Sequence, residues 1–252
     1  MTTDKPKKTL VGRRSPGRAG KAATAANADQ QELAIAPAAP TVVAIEELSL
    51  ARAEAAASAG DGGGFAELGL HETVLRAIAD AGYTHPTPIQ RQAIPLALNG
   101  RDIMGLAQTG TGKTAGFSIP IIERLIDGPR RTRALILTPT RELCQQVEES
   151  FRKYGKYAPL DVISVYGGVG YEPQVTALRG GVDVVVATPG RLIDHLEKQN
   201  VSFDELEVLV LDEADRMLDM GFAPQIQRIL ATIPSYRQTL LFSATMPPEV
   251  EA

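Results

Sequence analysis

From residue 100 onward, short apolar runs alternate with longer segments whose apolar residues recur at helical spacing. Each run is four to six residues long and is mostly apolar on both faces, which is typical of strands in a parallel sheet covered on both sides. The six runs are Asp102–Leu106, Ala134–Leu137, Val162–Val165, Val182–Ala187, Val208–Leu211 and Thr239–Phe242.

Amphipathic segments between these strands predict helices. The alternation of strand and helix, with right-handed crossovers, predicts an α/β sandwich with a mostly parallel central sheet. Clusters of Gly, Pro, Thr, Asp or Ser follow five of the six strands. They fall at the carboxyl edge, where open α/β sheets bind their ligands. The predicted helices include Lys113–Leu125, Arg141–Tyr154, Pro189–Lys198 and Pro224–Ala231.

The first 64 residues differ in composition from the rest of the chain. Residues 1–21 carry a net charge of +6, whereas the Ala-rich residues 22–64 carry −5 and residues 65–252 carry −5. Such tail segments bury too little apolar surface to offset the entropy of ordering. The sequence therefore predicts a disordered tail over residues 1–64, basic and then acidic, and a folded domain over residues 65–252. The basic arm either attracts phosphates or is a solvated tail without a dedicated role.

Composition also excludes several classes of protein. No stretch approaches the ~18 uninterrupted apolar residues that span a membrane, and no apolar signal-peptide region follows the first charges. Cys144 is the single cysteine, which excludes a disulfide framework and a Cys-based zinc module. We expect a cytoplasmic, monomeric protein without a membrane segment.

The loop after the first predicted strand has the composition of a phosphate-binding loop (P-loop). Gly110 and Gly112 let backbone N–H groups turn toward an anion, and the helix that begins near Lys113 adds its positive dipole end. Lys113 is predicted to reach the β- and γ-phosphates of a nucleotide, and Thr114 to offer its hydroxyl to Mg²⁺. The loop departs from G-x-x-x-x-G-K-[ST] only at its first position; its residues are Ala107, Gln108, Thr109, Gly110, Thr111, Gly112, Lys113 and Thr114.

Three acids lie at the end of the strand Val208–Leu211, where a P-loop NTPase holds its Mg²⁺. Asp212 is the predicted Mg²⁺ ligand, acting through water. Glu213 is predicted to orient or deprotonate the attacking water. Lys113, Asp212 and Glu213 are thus the predicted catalytic residues. The alternative explanation is a helix N-terminus enriched in acids.

The sequence Asp212-Glu213-Ala214-Asp215 and the clusters that follow the other strands occur in the order found in the DEAD-box ATP-dependent RNA helicases, and together they resemble that family. The resemblance runs from about Phe65 to Ala252 and implies a RecA-like P-loop NTPase domain that uses ATP and Mg²⁺. The segment 82–90 resembles the adenine-reading Q motif of that family. The resemblance implies that Tyr83 stacks on adenine, that Gln90 hydrogen bonds to its edge, and that Phe65 belongs to the ATP site.

Three more clusters resemble the motifs that line an RNA backbone groove in this family. Helix N-termini, glycine N–H groups, Thr hydroxyls and two arginines suit phosphates and sugars rather than base edges. The implied partner is RNA, bound without sequence selectivity. Each cluster alone is more typical of a helix cap beside a surface arginine. The implied RNA-binding residues are Pro139, Thr140, Arg141, Gly167, Gly168, Thr188, Pro189, Gly190 and Arg191.

The sequence Ser243-Ala244-Thr245 after the last strand resembles the family motif that couples ATP to strand separation. Its two hydroxyls are predicted to bond toward Asp215, which makes Asp215, Ser243 and Thr245 the coupling residues. An ordinary strand-end turn is the alternative.

Family members also carry a second RecA-like domain that completes the ATP site, and this sequence stops at Ala252. We therefore expect the N-terminal half of an ATP-dependent RNA helicase, poorly active alone, whose partner is the missing C-terminal RecA-like domain. Two alternatives stay open: a non-helicase P-loop ATPase and a non-catalytic fragment that binds RNA or a partner.

Overall fold

The computed structural model describes residues 41–44, 63–108 and 110–245, and these contain seven strands that form one parallel sheet. The strands are β1 (Thr41–Ala44), β2 (Ile103–Leu106), β3 (Ala134–Leu137), β4 (Val162–Val165), β5 (Val184–Ala187), β6 (Val208–Asp212) and β7 (Gln238–Ser243). In the sheet they lie in the order β1-β2-β7-β6-β3-β5-β4. Every adjacent pair is parallel. The predicted α/β class and parallel sheet are confirmed.

Six of these strands coincide with the predicted apolar runs. The four residues of β3 and the four of β5 are all buried. Their side chains alternate between two cores, so that Ile136 points to one face of the sheet and Leu135 to the other. This two-sided burial explains why the runs are apolar without alternation.

The strand β1 lies in the segment that the sequence assigns to the disordered tail. Residues Thr41–Ala44 pair in parallel with Ile103–Leu106 of β2. Three of these four residues are β-branched, which favours a strand at the open edge of a sheet. The structure thus departs from the prediction at these four positions. The rest of the predicted tail, residues 1–40 and 45–62, lies outside the described residues.

Helices cover both faces of the sheet. A 3-10 helix, Phe65–Leu68, precedes α1 (Glu72–Asp80), α2 (Pro88–Leu98), α3 (Lys113–Leu125), α4 (Arg141–Tyr154), α5 (Tyr171–Gly180), α6 (Pro189–Glu197), α7 (Ala214–Asp219) and α8 (Ala223–Leu230). Helices α1 to α4 pack on the core that contains Phe117 and Phe242, and α6 to α8 pack on the core that contains Met217 and Ile229. None of the helices in the described part of the chain is long and apolar enough to cross a membrane.

The strand order divides the carboxyl edge of the sheet into two halves. Strands β2, β7 and β6 are neighbours, and so are β3, β5 and β4. The loops that follow the first three carry the predicted nucleotide residues, and those that follow the other three carry the predicted RNA residues. The β6–β3 pair joins the two halves.

Candidate nucleotide and RNA-backbone site

The register of β2, β7 and β6 brings the predicted nucleotide residues together. Leu106 pairs with Ser243, and Asp212 pairs with Phe242. The N–H of Ala107, the first P-loop residue, donates to the carbonyl oxygen of Ser243 at 3.0 Å. The P-loop, the acidic cluster and the Ser243 turn therefore begin side by side.

Two glycines give the P-loop its turn. Gly110 has a φ of 84° and Gly112 has a φ of 92°, both in the left-handed region that favours glycine. Gly112 is the residue from which α3 begins. A Cβ atom there would lie only 2.4 Å from Nε2 of Gln90. Gly112 is thus required both by its backbone conformation and by the close approach of α2. Thr109 lies outside the described residues.

The N-terminus of α2 holds the P-loop in place through Thr87 and Gln90. The Thr87 hydroxyl donates to the carbonyl oxygen of Thr111 at 2.9 Å, and Nε2 of Gln90 donates to that of Gly112 at 3.1 Å. Oε1 of Gln90 accepts from the N–H of Thr87 at 3.0 Å, which completes a capping box. An amide has two N–H donors and two oxygen lone pairs. Gln90 therefore keeps one of each, beyond these contacts, for a ligand.

Lys113 is folded back into the loop that it begins. Its side chain is buried, and Nζ donates to the carbonyl oxygen of Ala107 at 2.8 Å. An ammonium group has three donors, so Nζ keeps two beyond this contact. The predicted phosphate-binding lysine is thus at the centre of the loop, close enough to Asp212 to influence its charge.

Asp212 is a buried carboxyl group, 2% exposed, at the end of β6. Burial raises its pKa to about 7, while the positive charge of Lys113 acts in the opposite direction. A bound cation relieves the cost of burying a carboxylate. The described residues contain no group of three or more His, Cys, Asp or Glu side chains able to hold a metal ion. One carboxylate beside a phosphate site is nevertheless the usual donor set for Mg²⁺, which takes its remaining ligands from phosphates and water. The residues thus fit a nucleotide with Mg²⁺.

Glu213 has an unusual backbone conformation. It has a φ of 54° and a ψ of 52°, and only Gln199 shares a positive φ among the non-glycine residues that the structure describes. A left-handed conformation costs a residue with a side chain roughly 1–2 kcal/mol. Residues held in this way cluster at functional sites. The Glu213 carboxylate accepts from Nη1 of Arg216 at 3.1 Å.

The predicted contact between Asp215 and the Ser243–Thr245 turn is present. Both the N–H and the hydroxyl of Thr245 donate to Oδ2 of Asp215 at 2.9 Å. Oγ of Ser243 accepts from the N–H of Asp215 at 3.2 Å. Burial alone would raise the pKa of Asp215, but the hydrogen bonds from Thr245 and Ser243 outweigh it and lower the pKa. The Asp215 carboxylate is thus ionised and held against the turn after β7.

The two predicted aromatic residues of the ATP site lie in different surroundings. Tyr83 is 42% exposed, beside Tyr154 and with Nζ of Lys153 5.6 Å from its ring centre. An exposed ring of this kind offers surface for stacking. Phe65, in contrast, is buried in the core that also contains Phe117 and Phe242. Its ring packs in that core, and its assignment to the ATP site stays a prediction.

The strands β3, β5 and β4 end in register, with Leu137, Ala187 and Val165 side by side. We call the loops that follow them the RNA edge; it comprises Pro139–Arg141, Gly167–Gly168 and Thr188–Arg191. Helices α4 and α6 both begin there, and the first N–H groups of a helix have no partner within it. The Thr140 hydroxyl caps α4 by accepting from the N–H of Leu143 at 3.2 Å.

Two arginines meet at the glycine turn of the RNA edge. A Cβ atom placed on Gly168 would lie 3.6 Å from Nη1 of Arg141, and one on Gly167 would lie 4.0 Å from Nη2 of Arg191. Arg141 is exposed, whereas the Arg191 side chain is only 15% exposed. Pro189 is buried at the start of α6, and Gly190 is exposed beside it. The structure thus brings all three predicted RNA clusters to one surface.

Sequence reasoning missed residues that support the site from behind. Thr87 has a signal in the sequence, because Thr followed three residues later by Gln is a capping box. The second group is a set of side chains under the RNA edge, which are the buried Gln174, His195 and Asn200 and the half-buried Tyr171. No sequence motif predicts these four residues, because the contacts between them depend on how α5 packs against α6.

Comparisons with known proteins agree with this arrangement. The family model of the DEAD/DEAH box helicases matches residues 87–252. The chain is 52% identical over 187 residues to an ATP-dependent RNA helicase DeaD of Mycobacterium tuberculosis, and 49% identical over 187 residues to one of Escherichia coli. The alignments cover 74% of this chain but only 33% and 30% of those relatives.

A solved structure shows the same fold. A DEAD box protein from the hyperthermophile Methanococcus jannaschii is 42% identical and superimposes with a TM-score of 0.71. The match covers 75% of this chain and 52% of that one. This chain therefore spans about a third of the length of the curated relatives and about half of the solved structure. Because the family model matches more than half of its residues, the chain belongs to the DEAD/DEAH box helicase family.

Proposed function

We propose that this chain is the N-terminal half of an ATP-dependent RNA helicase. It binds ATP with Mg²⁺ and the RNA backbone, and it couples ATP hydrolysis to local unwinding when a C-terminal RecA-like domain is paired with it. One observation carries the proposal: the P-loop, Asp212 and the Asp215–Thr245 contact share a single sheet edge with two arginines at a glycine turn. The names of the two relatives, both ATP-dependent RNA helicases, support it.

The nucleotide half of the edge binds ATP in this proposal. When bound, ATP supplies the bond to be broken, and Mg²⁺ neutralises charge on its β- and γ-phosphates. Nζ of Lys113 would either leave the carbonyl oxygen of Ala107 or use its two remaining donors for a phosphate, to which the backbone N–H groups of Gly110 and Gly112 would also donate. Thr114 and Asp212 would hold the metal. Glu213, fixed by its strained backbone, orients the attacking water.

The adenine is proposed to lie beside the start of α2. Tyr83 offers an exposed ring for stacking, and Gln90 offers its second amide donor and its second lone pair. Because Gln90 also holds the carbonyl of Gly112, the base and the phosphate loop share one side chain. The paired donor and acceptor of the amide match the amino group and the neighbouring ring nitrogen of an adenine edge.

The RNA edge binds phosphates and sugars. Arg141 and Arg191 supply charge, and the helix N-termini and the glycine turn supply N–H donors. These groups contact the backbone, so binding is expected to be insensitive to sequence. In this proposal Thr245 and Asp215 couple ATP hydrolysis to RNA strand separation, because their hydrogen bonds tie the turn after β7 to the acidic cluster.

Two substitutions test the proposal. Lys113→Ala should abolish the binding of a fluorescent ATP analogue and leave the affinity for single-stranded RNA unchanged. Arg141→Ala should leave binding of the ATP analogue unchanged and weaken RNA binding, and its loss of one phosphate contact should reduce the salt dependence of RNA binding by about one unit of slope. Native affinity of Lys113→Ala for the nucleotide, or of Arg141→Ala for RNA, would contradict the assignment.

The same chain offers matched controls. Arg152 lies on α4 like Arg141 but eleven residues further along, about 16 Å at 1.5 Å per residue. Arg152→Ala should leave RNA binding unchanged. Helicase activity itself is tested by adding the C-terminal RecA-like domain of a relative and measuring RNA-stimulated ATP hydrolysis together with the separation of a short RNA duplex. The monomeric state and the cytoplasmic location stay predictions.

A further inference from the structure

A buried polar cluster ties α5 to α6 under the RNA edge. His195 is fully buried; its Nε2 lies 3.2 Å from Oε1 of Gln174 and its Nδ1 lies 3.3 Å from Nδ2 of Asn200. The ring of Tyr171 stacks on the imidazole, with 4.4 Å between centroids and 3° between planes. The Tyr171 hydroxyl accepts from Nδ2 of Asn200 at 2.9 Å. The imidazole is therefore fixed at both nitrogens and on one face.

Gln174 connects this cluster to the glycine turn. Its Nε2 donates to the carbonyl oxygen of Tyr166 at 3.1 Å and also lies 3.4 Å from that of Gly170. These two carbonyls stand on either side of residues 167–169, so one amide joins both ends of the turn. Buried polar groups that are fully paired in this way hold a single conformation.

Arg191 lies between this cluster and the surface. Its Cζ is 5.4 Å from the centre of the Tyr171 ring, and its Nε is 3.7 Å from Oδ2 of Asp194. Its Nη1 is buried and has no hydrogen-bond partner among the described residues. A buried donor without a partner costs free energy until an acceptor reaches it. The other terminal nitrogen, Nη2, is the one that faces Gly167, so an acceptor at the glycine turn would reach the guanidinium through Nη2.

We infer that Tyr171 is a positioning residue for RNA: stacked on His195, it fixes the Arg191 guanidinium beside the Gly167–Gly168 turn to receive a backbone phosphate. The inference rests on the proposed RNA binding and deepens it. Tyr171 itself does not contact the phosphate in this arrangement. It acts through Arg191, whose long side chain would otherwise lose rotamer entropy on binding.

The ring rather than the hydroxyl carries this role. Arg191 and Lys198 both lie over the Tyr171 ring, Lys198 with its Nζ 4.3 Å from the centre. Cation–π contacts and stacking depend on the aromatic face, which phenylalanine retains. Tyr171→Phe should therefore keep most of the affinity for RNA, whereas Tyr171→Leu should lose it.

The experiment measures the affinity of the whole chain for a fluorescent single-stranded RNA. Tyr171→Leu should weaken binding about tenfold, the size expected for one charge-assisted contact. Arg191→Ala should cause a similar loss, and the double variant should lose no more than Arg191→Ala alone, because the two residues act as one unit. ATP-analogue binding and the melting temperature should stay near native, which a general folding defect would not allow. Tyr236, 84% exposed on another loop, gives the control Tyr236→Ala.

Three results would overturn the inference. The first is native RNA affinity of Tyr171→Leu. The second is a double variant whose loss of RNA affinity equals the product of the two single losses. The third is a loss of RNA affinity in Tyr171→Phe as large as that in Tyr171→Leu. If Tyr171→Leu does not fold, Tyr171→Met is the milder variant, because its flexible side chain fills the space while the aromatic face is lost. It should weaken RNA binding about threefold, and unchanged affinity would then count against the inference. If Arg141→Ala also binds RNA like the native chain, the proposed function fails; if only Tyr171→Leu does, the proposed function stands.

Discussion

The contact between α2 and the P-loop can be tested by adding a single Cβ atom at Gly112. Gly112 has a φ of 92°, and a Cβ atom there would lie 2.4 Å from Nε2 of Gln90 and 3.0 Å from Oγ1 of Thr87. Gly112→Ala therefore meets two separate obstacles. The left-handed conformation costs about 1–2 kcal/mol, and displacement of the Gln90 side chain costs about 1 kcal/mol for the hydrogen bond lost to the carbonyl of Gly112.

Together these terms predict a loss of about 2–3 kcal/mol in the free energy of unfolding. For a domain of this size, the melting temperature should fall by roughly 4–12 °C. Calorimetry or circular dichroism measures this change. Affinity for an ATP analogue should fall by more than about tenfold, because the same substitution moves the carbonyl and amide groups that shape the loop.

A second glycine provides the control for Gly112→Ala. Gly180 ends α5, and a Cβ atom there meets nothing within 4 Å. Gly180→Ala should leave the melting temperature unchanged or raise it slightly, because alanine favours a helix. A Gly112→Ala variant that melts within about 2 °C of the native chain and binds the nucleotide with native affinity would refute the reasoning.

Three further predictions follow from other contacts. Thr245→Val should lower stability by about 1 kcal/mol in urea denaturation, since it removes the hydroxyl bond to Asp215, while Thr245→Ser should retain it. Burial lowers the pKa of His195, and the positive charges of Arg191 and Lys198 lower it further. Below about pH 6.5 the unfolded chain therefore binds more protons than the folded chain, so stability should rise with pH up to about 6.5; His195→Gln should flatten this rise in urea denaturation at a series of pH values. Phe242→Ala should cost about 3–5 kcal/mol in denaturant unfolding, because this ring is fully buried against Phe117.

The sequence was sufficient for most of the sheet and for the chemistry at its edge. Buried parallel strands must be apolar on both faces, so β2 to β7 are visible as runs without any alternation. Residues that bind phosphate must lie next to a strand end, so the P-loop and Asp212 could be placed from their position alone. The bond between Thr245 and Asp215 was predicted because Ser243-Ala244-Thr245 resembles the family motif that couples ATP to strand separation.

Other features depend on packing between elements that are distant in sequence. The resemblance assigns Phe65 to the ATP site, but its burial in the core could not be predicted from the sequence. The strand β1 is short and lies in an Ala-rich segment, and only the open edge of β2 gives it a partner. The stack of Tyr171 on His195 joins residues 24 positions apart on two helices, and its relation to Arg191 needs the three-dimensional arrangement.

The strand order has a mechanical consequence. Adjacent strands are about 4.8 Å apart, so the three steps from β6 to β4 set a distance of about 14 Å between Asp212 and the glycine turn. The strands from β6 to β4 are hydrogen-bonded to one another, so in the proposed function the sheet keeps the nucleotide half of the edge and the RNA edge at this separation. A change in a bound nucleotide would then reach the RNA through the loops at the carboxyl edge, or through a second domain that contacts both halves of that edge.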